Sequence, residues 1–333
     1  MESIRAHLLD GQVIPACPLP LDADGRWSER HQRALSRYYT ESGAGGLAVG
    51  VHSTQFEIRD PEHALFEPVL ELVAGELPDS VAKIAGICGE TAQATAEAAT
   101  ALSYGYQAGL LSMKALGDRP EKEVLSHCRE IADIIPIVGF YLQPAVGGRV
   151  FSYGFWREFA EIENVVAIKI APFDRYLTID VVRAVNESGR DDIALYTGND
   201  DNIIGDLVTT FPGDRRIVGG LLGQWGVWTR NAVELLAHIK TIEGSIPPEL
   251  LTENAILTEA NAVIFDSANE FSGCIPGIME VLRCVGLAPS NRCLNPDEVL
   301  SPGQAEELDR IATAYPHLND DEFVAENLDR WLA

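Results

Sequence analysis

Val165-Val-Ala-Ile-Lys-Ile-Ala171 is apolar at every position but one. A strand with one solvated face alternates apolar and polar residues. A run without that alternation reads as a parallel strand covered on both faces. Successive side chains point to opposite sides, so Ala167, Lys169 and Ala171 share one face and Val166, Ile168 and Ile170 the other. The branched residues suit packing against helices, and the alanines leave space around the lysine on the inner side.

Seven more short runs rich in apolar or β-branched residues flank this one, at 12–18, 46–51, 83–88, 109–113, 135–142, 193–197 and 216–222. Helical punctuation follows each. Ser28 precedes an apolar-periodic stretch that ends near Gly43, and Asp60-Pro61-Glu62 puts proline and acids where a first helical turn favours them. The alanine-rich stretch 91–104 stops at Gly105, and Pro120, Ser152, Thr178, Asp200-Asp201 and Thr229 open the remaining helices. Eight βα units in residues 1–241 predict a (β/α)8 TIM barrel of the α/β class rather than a doubly wound sheet. No GxGxxG follows the first strand. Residues 242–333, with breaks at 288–295 and Ser301-Pro302, are expected to form a C-terminal helical subdomain.

Composition narrows the partners. With 25 Lys and Arg against 50 Asp and Glu, the net charge of −25 repels nucleic acid and anionic lipid. No apolar run approaches the roughly 18–20 residues of a membrane span. Met1-Glu-Ser-Ile-Arg-Ala-His7 lacks the basic and apolar regions of a secretory signal. Cys17, Cys88, Cys128, Cys274, Cys284 and Cys293 are scattered, without CxxC or metal-ligand spacing. They are expected to be reduced, mostly buried thiols of a cytoplasmic protein.

Active sites of such barrels lie at the C-terminal ends of the strands. The candidates there are Gly50-Val-His-Ser-Thr54, Tyr141-Leu-Gln-Pro144, Lys169 and Thr197-Gly-Asn-Asp-Asp201. Lys169 reads in one of two ways. Enclosure strips its hydration and favours the neutral amine, a nucleophile for ketones; or its ammonium snorkels to a carboxylate at the rim. Tyr141, on the same side as Ile137 and Gly139, is either a proton carrier for that chemistry or a core tyrosine. His52 is a carboxylate anchor, an acid–base group or a structural histidine. Asp200 and Asp201 contact substrate or cap the seventh helix. Lys114, ending the fourth strand, meets an anion, perturbs Lys169, or stays solvated at the rim.

These segments together resemble the dihydrodipicolinate synthase/N-acetylneuraminate lyase superfamily of class I aldolases, over most of the chain. Residues 165–169 look like the strand bearing that family's Schiff-base lysine. Tyr141-Leu-Gln-Pro144, 28 residues before Lys169, looks like its Tyr-x-x-Pro segment with the proton-transferring tyrosine. Residues 89–105 resemble its third helix, Tyr196-Thr-Gly-Asn-Asp-Asp201 its Gly-Asp-Asp stretch, and 274–287 the start of its C-terminal helical region. The resemblance implies catalytic roles for Lys169 and Tyr141 and substrate contacts from Gly198, Asp200 and Asp201. It also implies a homodimer or homotetramer.

Two departures stand out. Where the family has Gly-Thr-Thr-Gly-Glu to hold the keto-acid carboxylate, this chain has Gly50-Val-His-Ser-Thr54, so Ser53 and Thr54 would take the hydroxyl role beside His52. True dihydrodipicolinate synthases carry an arginine two residues after the Tyr-x-x-Pro proline and a tyrosine after strand four. Here Val146 and Met113-Lys-Ala-Leu-Gly-Asp-Arg119 occupy those places, and Ala145-Val146 looks more like the sialic-acid lyase branch. The resemblance therefore implies a Schiff-base lyase of a small-molecule 2-keto acid, outside lysine biosynthesis, which needs no metal and no organic cofactor. It would act by aldol cleavage or condensation with pyruvate, or by dehydration of a 2-keto-3-deoxy sugar acid. The alternatives are a keto-acid-binding regulatory barrel without turnover, and a His52-dependent acid–base enzyme without an imine.

Overall fold

The computed structural model describes residues 3–333; Met1 and Glu2, where the segment read as lacking a secretory signal begins, lie outside the described residues. Eight parallel strands are β1 (Val13–Pro15), β2 (Gly46–Val49), β3 (Ala82–Ile87), β4 (Ala108–Leu111), β5 (Ile137–Leu142), β6 (Val165–Ala171), β7 (Ala194–Thr197) and β8 (Gly219–Leu222). They pair in the order β1-β8-β7-β6-β5-β4-β3-β2. A parallel bridge between Ala16 and Ala48 closes the ring, with the Cys17 N–H donating to the Ala48 carbonyl at 2.8 Å. The fold is a (β/α)8 barrel, as expected.

Around it run α1 (Ile4–Leu9), α2 (Glu29–Ser42), α3 (Phe66–Glu76), α4 (Thr91–Ser103), α5 (Glu121–Ala132), α6 (Tyr153–Phe159), α7 (Arg175–Ser188), α8 (Ile203–Val208) and α9 (Thr229–Lys240). Among the boundaries that differ from the sequence reading, three have a clear local cause. Pro61 does not open a helix: His63 and Ala64 N–H groups close a turn on the Asp60 carbonyl, Ala64 sits at φ 50°, and α3 starts at Phe66. Helix α7 begins before Thr178, because the Asp174 side chain accepts from the Tyr176 and Leu177 N–H groups and caps it. Of the run 216–222, Arg216 belongs to a small antiparallel pair, Thr210–Phe211 with Arg215–Arg216, and the barrel strand begins at Gly219.

Two apolar layers result. Ile14, Ile84, Leu110, Val138, Ala167 and Leu221 fill the barrel, while Val49, Ile87, Ile168, Ile170 and Leu195 face the helices. Past the barrel run α10 (Glu249–Ile264), α11 (Cys274–Cys284), α12 (Gln304–Ala314) and α13 (Asp321–Leu332). Their buried side chains Leu257, Ile278, Ile311 and Trp331 join the same outer-layer core, and Trp331 packs edge-on against Tyr38 of α2 at 5.6 Å. No helix among the described residues is long and apolar enough to cross a membrane.

At the N-terminal end of the barrel Tyr196 is buried, donates its hydroxyl to the Leu8 carbonyl at 2.8 Å and accepts from the Gln12 N–H at 3.0 Å. That phenol satisfies two backbone groups that close the floor of the barrel. Tyr196→Phe is expected to lower the unfolding free energy by about 1–3 kcal/mol, since both groups lose their partner. A urea titration reads this as a lower midpoint, and an unchanged midpoint would contradict the assigned role.

Candidate active site

At the C-terminal ends of the strands lies a cleft of about 660 Å³ into which β6 directs Lys169. Lys169 is only 9% exposed, and its Nζ lies 4.4 Å from the centroid of the Phe140 ring. The lysine stem needs Gly198 after β7: a Cβ there would stand 2.6 Å from Lys169 Cε and 2.8 Å from Ala171 Cβ. Burial pulls the lysine below its ordinary range, and the nearby Asp200 carboxylate opposes that shift in part.

Asp200 faces the same cleft. Burial pushes its carboxyl upward against the stabilising charge of Lys169 and a hydrogen bond from the Gln224 N–H. One of its oxygens, Oδ1, is buried without a hydrogen-bond partner. The loop carrying it is fixed on both sides. Asn199 donates to Asp206 Oδ2 at 2.9 Å, and Asn261 of α10 donates to the Asp200 carbonyl at 2.7 Å. Lysine and acid thus form a buried pair whose ionisation ranges are driven toward each other by loss of water.

His52 and Ser53 add to the polar lining from the loop after β2. Burial, with the positive charges of Lys169 and Lys114, pulls the His52 imidazole down to about 4, so it is neutral at physiological pH. The Ser53 hydroxyl donates to the Ala16 carbonyl at 2.9 Å. Thr54 is in that loop but not in the cleft. Its Oγ1 donates to the Cys17 carbonyl at 2.6 Å and accepts from the Gly50 and Val51 N–H groups, so it shapes the turn. Asp201 is exposed and does not line the cleft. Lys114 lies in an adjacent cavity of about 440 Å³, behind a wall of Phe140 and Leu142.

The structure separates Tyr141 from Lys169. Along β5, Ile137, Gly139 and Tyr141 do share a side, but that side faces the helices: a Cβ on Gly139 would meet Phe159 and Trp156. Tyr141 packs 4.9 Å from the Trp156 ring, and its hydroxyl accepts from the Phe151 N–H at 3.4 Å. Phe140 pairs with Lys169 across the strands and takes the inward position. The expected phenol beside the lysine is therefore replaced by a ring with no proton to give.

Sequence reasoning missed several groups. Phe140, Gln143, Phe173, Phe271 and Cys274 line the cleft. Arg59, nearly buried, pairs with Glu97 at 2.9 Å and donates to the Gly50 and Gly86 carbonyls at 3.0 and 2.9 Å. It ties together the ends of β2 and β3 and so positions the loop bearing His52. An apolar arginine neighbourhood leaves no periodic signal, but the pairing of Arg59 with an acid on the alanine-rich α4 was open to a search for buried charges. Among the described residues no group of three or more His, Cys, Asp or Glu side chains is placed to hold a metal.

A TIM barrel with a desolvated lysine and an acid at its C-terminal mouth has the architecture of an aldolase-type lyase. The chain belongs to the dihydrodipicolinate synthetase family, whose model matches residues 10–211. It is 27% identical over 218 residues to a 4-hydroxy-tetrahydrodipicolinate synthase of Synechococcus elongatus, covering 64% of this chain and 70% of that one. It is 30% identical over 201 residues to the synthase of Aromatoleum aromaticum, covering 58% and 64%. The fold superposes on N-acetylneuraminate lyase from Fusobacterium nucleatum with a TM-score of 0.75 at 19% identity, covering 92% of this chain and 99% of that one. Dihydrodipicolinate synthase from Agrobacterium tumefaciens gives 0.75 at 18%, with the same coverage. The kinship places the chain among enzymes of the lyase class.

Because the Tyr141 hydroxyl faces helices, Tyr141→Phe is expected to leave turnover within a few-fold of wild type. Removing a general acid–base group instead lowers rates on the order of 10²–10⁴-fold. A loss of that size in steady-state kinetics would show that the phenol reaches the reacting atoms.

Proposed function

We propose that this protein is a class I lyase that holds a 2-keto acid as an imine on Lys169. The observation that carries the proposal is the desolvated amine of Lys169, buried over Phe140 and facing the cleft at the C-terminal ends of the strands. A neutral amine adds to the C2 carbonyl, and loss of water leaves an iminium. The iminium draws electrons, so that either the C3–C4 bond breaks or a C3 proton is released. Aldol cleavage and dehydration of a 3-deoxy acid both begin at this point.

With Tyr141 turned outward, Asp200 is the proton carrier in this scheme. Its carboxyl is raised toward the neutral range, where an acid–base group is most useful, and it has an unpaired oxygen at the site. His52, pulled down to about 4, is a poor acid at neutral pH and suits a binding role. Ser53 is assigned to the substrate carboxylate, its hydroxyl turning from the Ala16 carbonyl to donate to it. Condensation with aspartate semialdehyde, the reaction implied by the synthase names, is not what we assign. Val146 lines the cleft, and Arg149 beyond it is engaged with the Gly117 and Arg119 carbonyls at 2.7 Å each. Family kinship with synthases and lyases speaks against a barrel without turnover.

Pyruvate release from a panel of 4-hydroxy-2-oxo acids and 2-keto-3-deoxy sugar acids tests the assignment. Lys169→Ala is expected to abolish it, and Asp200→Asn to lower kcat by roughly 10²–10⁴-fold. His52→Ala should chiefly raise KM. Turnover near wild type in folded Lys169→Ala would overturn the imine, and unchanged kcat in Asp200→Asn would remove the acid from proton transfer.

A further inference from the structure

We infer that the substrate's chain beyond C4 is apolar, an aryl or alkyl group rather than a polyol or a second carboxylate. This rests on the reading of Lys169 as the imine-forming residue. Above the lysine the cleft is walled by Phe140, Leu142 and Val146 from the β5 side, Phe173 from the end of β6, and Phe271 and Ile278 from the C-terminal helical region. Polar partners are few. Lys169 is consumed by the imine and Ser53 by the carboxylate, which leaves His52, Gln143 and one oxygen of Asp200. A hydroxyl buried against those rings without a partner is unfavourable, whereas methylene or aryl surface gains from leaving water.

The mouth of the cleft is built for this. Phe173 and Phe271 stand at φ 53° and 67°, in the left-handed region that bulky residues avoid. Their rings meet edge to face, centroids 6.0 Å apart and planes at 68°. Each backbone is held in that conformation by hydrogen bonds. The Phe173 N–H donates to Asn199 Oδ1 at 3.0 Å. The Phe271 N–H donates to the Asp266 carbonyl at 3.1 Å, and the Asp266 carboxylate accepts from the Gly273 N–H at 3.0 Å and the Ser301 hydroxyl at 2.5 Å. Two strained turns thus present one apolar entrance. Among the described residues, Lys114 and Arg149 line the neighbouring cavity with Asp118, beyond Phe140 and Leu142, rather than this cleft.

The reaction that fits is cleavage of a 4-hydroxy-2-oxo acid with such a tail. Lys169 Nζ adds to C2 and water leaves, giving the iminium. The C4 hydroxyl gives its proton to Asp200 as the C3–C4 bond breaks. That electron pair moves to the iminium as an enamine, and the apolar aldehyde departs. Asp200 returns the proton to C3, and water hydrolyses the imine to pyruvate and free Lys169. Run backward, the same steps condense pyruvate with an aryl or alkyl aldehyde.

The test compares kcat/KM for pyruvate release from 4-hydroxy-2-oxo-4-phenylbutanoate, 4-hydroxy-2-oxoheptanoate, 2-keto-3-deoxygluconate and 4-hydroxy-2-oxoglutarate, together with their dissociation constants by calorimetry. The first two are expected to exceed the others by about tenfold or more, as burial of two or more methylene groups implies. Phe271→Ala should shrink that ratio, and Phe173→Leu serves if the first variant does not fold. A polyol or dicarboxylate handled as well as the apolar acids, in turnover and in binding, would overturn the inference, as would a ratio unmoved in both variants. Borohydride trapping with pyruvate, which has no tail, is run in parallel. Its failure strikes the imine reading, and the binding comparison then decides the tail preference alone.

Discussion

Removing one ammonium group from water is the constraint around which this barrel is arranged. Lys169 sits in a strand otherwise wholly apolar, with Phe140 over its Nζ and Gly198 leaving the gap through which its stem passes. A buried lysine is tolerated when it gives up its proton or finds an opposite charge. Asp200 supplies the opposite charge, which offsets in part the pull of burial on the amine. The supports extend outward from that pair. Asn199 and Asp206 fix the β7 loop, Asn261 reaches it from α10, and Arg59 pins the loop that brings His52.

The fold was readable from sequence because a parallel barrel leaves a simple trace. The apolar run at 165–171 coincides with β6, and Ser28, Ser152 and Thr229 each stand where a helix begins. The errors fell where local chemistry outweighs pattern. Pro61 is compatible with a first helical turn, yet Ala64 at positive φ ends any such turn before α3. Arg216 reads as a strand start but belongs, with Arg215, to a separate two-stranded pair.

The site was legible in part. Lys169, Gly198, Asp200, His52 and Ser53 converge on one cleft. Tyr141 does not, because both faces of β5 are apolar and alternation alone cannot tell inside from outside. A register shift between Ile137 and Val138, against β6, sets which residue meets the lysine. The Phe173 and Phe271 contact spans 98 residues of chain and depends on backbone angles that residue type disfavours, so no periodicity announces it.

Burial shifts the Lys169 amine toward its neutral, nucleophilic form. Borohydride trapping with pyruvate across a range of pH, read by intact mass and peptide mapping, tests that shift directly. One reduced adduct per chain is expected, on Lys169. Because burial lowers the amine's pKa, the trapping rate should rise with pH through a midpoint well below the roughly 10.4 of a solvated lysine. An adduct confined to Lys114, no adduct at any pH, or a midpoint at the solvated value would contradict it.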